Sequence, residues 1–85
     1  MEKSIFSKNY EVFLRLLREQ RKAAGITQEQ LAERVGQDQS FISKCERGER
    51  RLDFVEVAEL CAAMDISFSE FAKRFQQSVR PRKHK

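Results

Sequence analysis

The chain has 85 residues, 40% hydrophobic, 9% aromatic and 35% charged, which is apolar material for one compact core, too much for a disordered chain and too little for two domains. Its longest unbroken apolar run, Leu60 to Met64, is far short of the roughly 20 residues a membrane span needs, and its start has no apolar stretch or small-residue cleavage site for secretion, so a cytoplasmic globular domain with no membrane partner is expected. The net charge of +4 is uneven: basic groups lead over residues 1–52 and in the last six, while acidic groups lead over 53–79, as in a protein with one anion-facing side, although solvated faces give similar counts.

Five helical segments follow in order, and no segment alternates with period two over a strand's length. From Asn9 to Ala24, Tyr10, Phe13, Leu14 and Leu17 share one helical face, and Gly25 supplies a left-handed stop. Thr27 with Gln30 makes a capping box and Ile26 can staple onto Leu31, so a second helix opens at Gln28, reaches about Val35 and stops at Gly36. Asp38 caps a third, with Ile42 and Cys45 inward and Gly48 closing it. Asp53 with Glu56, and Leu52 with Val57, open a fourth helix whose stripe runs Phe54, Val57, Leu60, Cys61, Met64. Ser67 with Glu70, and Ile66 with Phe71, open a fifth carrying Phe68, Phe71, Ala72 and Phe75 inward. The expected organisation is a lead over 1–8, an all-α domain over 9–77 and a basic tail over 78–85 broken by Pro81, with no internal repeat.

Cys45 and Cys61 are too far apart for a Cys-x-x-Cys motif, and the sole histidine, His84, lies in the tail. A metal held by these three would lack a fourth ligand, so buried structural thiols, no metal and no cofactor are expected. No nucleophile stands beside a base, which argues against an enzyme.

Residues 28–47 supply two short helices joined by a glycine-containing turn, the geometry of a helix-turn-helix. Ala32 is small where the next helix crosses above it, Gly36 can adopt positive φ, and Leu31, Val35, Ile42 and Cys45 anchor both helices. The run from Leu17 to Gln28, then Leu31-Ala32, Val35-Gly36 and the run from Ser40 to Leu52 resemble the phage repressor and Cro type of helix-turn-helix regulators, the Xre-like family, over about residues 10–75. Gln37 departs from it, because the family more often has an apolar residue there. The resemblance implies a five-helix, lambda-repressor-like domain that binds double-stranded DNA with its third helix in the major groove.

Groove-facing residues belong at the start of that helix. Gln39 and Ser40 occupy it, and Lys44 follows one turn on, opposite inward Ile42 and Cys45. These three are the expected base readers, Gln suiting adenine and Lys guanine acceptors; the alternative is an ordinary solvated face. Phe41 and Ser43 flank them as accessory contacts, with core packing the equal alternative for Phe41. Phosphate contacts are expected from Gln28 and from Arg47, Arg50 and Arg51, unless the arginines pair with Glu46, Glu49 or Asp53. Arg21 falls on the apolar stripe of the first helix and Glu46 interrupts that of the third, so the two read as an internal salt bridge, as the resemblance also implies.

One short reading helix contacts too few bases to select a site in a genome, so a homodimer on two-fold operators is expected. The fifth helix, with Phe68, Phe71 and Phe75, is the expected interface, core packing being the alternative for each. About ten residues follow that helix, so control is expected through concentration or a partner. Three kinds of stand-alone member fit: controllers of restriction-modification operons, antitoxins that repress their own operon, and small prophage or mobile-element repressors. The competing reading is an antitoxin-type module whose main task is binding a partner protein through its last two helices. The basic tail, Arg80 to Lys85, reads either as an arm along phosphates or as a solubilising tail.

Overall fold

The computed structural model describes residues 7–79; residues 80–85 of the basic tail, His84 among them, lie outside the described residues, and Ser78, assigned to the tail, is instead the last residue of the fifth helix. Five helices follow in chain order: α1 (Lys8–Ala23), α2 (Gln28–Arg34), α3 (Gln39–Glu46), α4 (Phe54–Ala63) and α5 (Phe68–Ser78). No strand occurs among the described residues. α1 packs on α3 and α5, α2 lies against α3 and α4, and α4 pairs with α5, so the helix-turn-helix of α2 and α3 is backed by α1 behind α3 and by α4 behind α2.

The helix starts follow the short-range caps. Thr27 accepts from the Gln30 amide at 3.0 Å while the Gln30 side chain accepts from the Thr27 amide at 2.9 Å, and Asp53 with Glu56 repeats the reciprocal pair at 2.7 and 3.0 Å. In α5 Ser67 accepts from the Glu70 amide at 3.1 Å and shares a hydrogen bond with Ser69. Ser7 caps α1 by accepting from the Tyr10 amide, which sets its start one residue before the expected Asn9. The first four helices stop at left-handed residues: Gly25, Gly36 and Gly48 have positive φ, and after α4 the same role falls to Asp65 at φ 62°. At Gly48 a side chain would be strained by φ +82° and tightly placed as well, its Cβ 3.2 Å from Leu14 Cδ1, which would have to give way.

Leu17, Leu31, Ile42, Met64, Cys45 and Cys61 are the most deeply buried side chains. Burial raises both thiols to about 11, keeping them protonated and unreactive. Ala32 in α2 is likewise 1% exposed. Phe13 meets the rings of Phe71 and Phe75 edge-on at 6.1 and 6.5 Å, joining α1 to α5.

Two expected inward positions are corrected. Phe54 is 75% exposed, because it stands in the first turn of α4, at the end of the stripe, where its ring meets Phe68 edge-on at 5.0 Å and one side stays open. Ala72 is exposed as well; in α5 burial centres on Phe71, and Phe68 and Phe75 are half-buried at its margins.

Candidate nucleic-acid interface

The turn between α2 and α3 is closed through the backbone, the Gln37 amide donating to the Ala32 carbonyl at 2.8 Å. The Gln37 side chain is exposed and borders a small cleft with Val35, Phe41 and Leu60, where an apolar residue would have filled space. Beyond the turn, Asp38 caps α3 by accepting from the Phe41 amide at 3.2 Å and from the Ser40 hydroxyl at 2.7 Å. The Ser40 hydroxyl, then the Phe41 amide, hold its carboxyl below the usual carboxylate range.

α3 is sharply two-faced. Ile42, Cys45 and Glu46 are buried, whereas Gln39, Ser40 and Lys44 are exposed: Ser40 and Lys44 share one face at i, i+4, and Gln39 is open at the start of the helix, above the buried Ile42 and Glu46. The Ser40 proton is already used in the cap, which leaves its oxygen as an acceptor. Phe41 is half-buried and packs against the core, with the Arg50 guanidinium 5.0 Å from its ring centroid. Ser43 is half-buried and accepts from Arg47.

The three arginines after α3 differ in what holds them. Arg47 makes two bonds to Glu49, at 2.9 and 3.1 Å. Arg50 makes two to Glu56, at 3.0 and 2.7 Å, instead of any of the three acids expected. Glu56 thus caps α4 and clamps the preceding loop, and Arg50 followed by the Asp53 amide holds its carboxyl below the ordinary range. Arg51 is exposed, its guanidinium 4.3 Å from the Tyr10 ring centroid, and the Tyr10 hydroxyl accepts from the Leu52 amide at 3.2 Å. The loop carrying these cations is therefore tied to α1 on one side and to α4 on the other.

Beneath the interface lies the buried pair of Arg21 and Glu46. Arg21 Nε and Nη2 reach the two carboxylate oxygens at 2.6 and 3.1 Å, and Nη1 donates to the Ile26 carbonyl at 2.9 Å. This is the bidentate geometry in which a buried ion pair is best satisfied. Gln28 adds a bond to the same carboxylate: its Nε2 donates to Glu46 Oε1 at 2.9 Å, while its Oε1 accepts from Gln39 Nε2 at 3.2 Å. The roles of Gln28 and Glu56 as connectors were missed in the sequence. Glu56 carries a local signal, as the third residue of a capping box beside arginines, but Gln28 depends on how two helices cross.

The helix-turn-helix family model matches residues 17–71. The chain belongs to the XRE-type helix-turn-helix family. Its lambda-repressor-like fold is that of a DNA-binding transcription regulator, and it is similar over most of its length to solved structures of that type. An XRE-family like protein from Pseudomonas syringae pv. tomato is 40% identical with a TM-score of 0.79, covering 85% of this chain and 88% of that one. The restriction-modification controller protein C.AhdI from Aeromonas hydrophila is 41% identical with a TM-score of 0.63, over 69% of this chain and 86% of that one. A tyrosine-to-phenylalanine mutant of the restriction-modification controller protein C.Esp1396I is 26% identical with a TM-score of 0.73, over 91% and 92%. Comparison with curated proteins gives no match. No helix among the described residues is long and apolar enough to cross a membrane.

Proposed function

We propose that the chain is a sequence-specific double-stranded DNA-binding regulator that acts as a cytoplasmic homodimer on two-fold symmetric operators and performs no reaction of its own. The observation that carries this reading is the two-faced α3, with Gln39, Ser40 and Lys44 open while Ile42, Cys45 and Glu46 are buried. In this reading Gln39 and Lys44 read base edges, Ser40 accepts from one, and Phe41 and Ser43 serve mainly to seat the helix. Arg51 is the foremost phosphate donor, because a stacked guanidinium keeps its N–H groups available. Arg47, Arg50 and Gln28 contribute after partial release from their protein partners.

Dimerisation is supported by an apolar surface that the monomer leaves open. Phe54 is 75% and Val55 61% exposed, and Phe54 borders an apolar groove with Phe68, Ala72 and Phe75. Phe71 is 4% exposed, so its role is within the monomer core. The similarity to two restriction-modification controller proteins favours the controller kind of regulator over the prophage and antitoxin kinds.

Selection of bound duplexes from a random DNA library at near-physiological salt, with the Gln39→Ala, Lys44→Ala double variant alongside, tests the proposal. An enriched inverted repeat that is relaxed in the variant is the expected result. No enrichment by the parent chain would overturn it in favour of a module that mainly binds a partner protein through α4 and α5.

A further inference from the structure

Of the three cations that follow α3, Arg51 is set apart by what surrounds it. Arg47 and Arg50 each donate twice to a carboxylate, Glu49 and Glu56, whereas among the described residues Arg51 stands in no ion pair. Its guanidinium instead lies over the Tyr10 ring, 4.3 Å from the centroid. The peptide group after it is held on both edges: the Arg51 carbonyl accepts from Arg50 Nη1 at 2.5 Å, and the Leu52 amide donates to the Tyr10 hydroxyl at 3.2 Å. Tyr10 therefore grips this stretch of loop twice, once by its ring and once by its hydroxyl. The ring is itself well placed, since Tyr10 stands in the first turn of α1 with its amide donating to Ser7 and its ring 5.2 Å from that of Phe13.

We propose that Tyr10 acts as a positioning residue for recognition of the DNA backbone: it holds the Arg51 guanidinium, the cation of the loop without a carboxylate, in place for a phosphate oxygen. This rests on the reading of the chain as a DNA-binding regulator with Arg51 as a phosphate donor. A guanidinium laid on a ring covers one face and leaves its N–H groups, which point outward in its plane, open to an anion. Much of its side-chain freedom is spent before DNA arrives, so less is lost on binding than by an arginine loose in solvent. The ring is uncharged and accepts no strong hydrogen bond from those groups, so unlike Glu49 and Glu56 it does not compete with phosphate for them. α1, which lies outside the helix-turn-helix, thereby takes part in binding, and its contribution is of the same size for every DNA sequence.

The test is a double-variant cycle on the full chain, with affinity titrated at several salt concentrations against two duplexes: the one that the parent chain selects from the random library, and one of scrambled sequence. Arg51→Ala is expected to weaken binding to both by about tenfold and to lower the salt slope by about one for each subunit bound. Tyr10→Leu keeps an apolar, helix-forming side chain at a half-buried position. It is expected to weaken both duplexes by about three- to fivefold in the parent background and to change neither in the Arg51→Ala background. Tyr10→Phe retains the ring and is expected to bind within about twofold of the parent. Arg51→Lys, at an exposed position where the fold is not at stake, keeps the charge without the planar group and is expected to lose about as much as Tyr10→Leu. An equal loss from Tyr10→Leu in both backgrounds would leave Tyr10 a residue of the fold alone and overturn the proposal. Parent-like binding by Tyr10→Leu or by Arg51→Lys overturns it as well. If Arg51→Ala changes neither affinity nor salt slope, Arg51 is no phosphate donor and the role of Tyr10 falls with it, while an inverted repeat enriched by the parent chain would still uphold the regulator reading.

Discussion

The α1–α3 junction and the α4–α5 end treat their difficult groups in opposite ways. At the junction two full charges are buried, and every one is answered: Arg21 meets both oxygens of Glu46 and a backbone carbonyl, and Glu46 also receives Gln28. At the other end no charge is buried, yet Phe54 and Val55 stand largely in solvent. The first region is complete within one chain, and the second has apolar surface that a single chain leaves unfilled. The polarity of a region is thus a poor guide to whether it needs a partner; what matters is whether its groups are satisfied.

The largest expected effect bears on the junction. Arg21→Ala is expected to lower stability by about 3 to 5 kcal/mol, because it leaves a carboxylate buried without its counter-charge, and denaturant unfolding at neutral pH reads this directly. An unchanged midpoint would mean that water reaches Glu46 and that the junction is not closed. Within the aromatic end, Phe71→Ala is expected to cost about 3 kcal/mol or more through the cavity it leaves against Phe13. Phe54→Ser separates the two kinds of phenylalanine: stability of the monomer is expected to change by less than about 0.5 kcal/mol, while dimer dissociation rises by about tenfold or more. Sedimentation velocity over a concentration series distinguishes these, and an unaltered dimer would remove Phe54 from the interface.

Smaller effects sharpen the contrast at the edges. Asp65 has φ 62° at a position where glycine is unstrained, so Asp65→Gly is expected to raise stability by about 0.5 to 1 kcal/mol in thermal unfolding. The smallest effect concerns pH. Arg50 and the Asp53 amide hold the Glu56 carboxyl low; a lowered acid stabilises the fold at neutral pH, and that contribution is lost as pH falls through its depressed value. Solvent screening keeps the term small. Glu56→Gln is expected to flatten the acid limb of the stability curve slightly and to leave the alkaline limb unchanged.

Features set by neighbours in the chain were legible in the sequence. Thr27, Asp38, Asp53 and Ser67 each cap the helix that follows, because a cap needs only an oxygen three residues before an amide. The open face of α3 was legible for a similar reason, since helical spacing sets Ile42 and Cys45 opposite Lys44. Spacing names a face of a helix but says nothing of how far along it a neighbour extends, which is why Phe54 was assigned inward. The partners of Gln28 and Arg50 were illegible because both depend on helix crossing and loop path. Gln28 in α2 meets Glu46 in α3 where the two helices pack, and Arg50 meets Glu56 across the loop that Tyr10 also touches at Leu52.

The two buried thiols offer the molecule a built-in clock. Cys45 lies in α3 and Cys61 in α4, both with ionisation raised by burial to about 11, so an alkylating reagent at neutral pH reaches either one only when its surroundings open. Labelling of Cys45 reports the opening of the reading helix, and labelling of Cys61 that of the helix leading to the aromatic surface. Bound DNA should slow the first clock and self-association the second, so two ordinary core residues can time separately the breathing of the two faces with which the protein meets its surroundings.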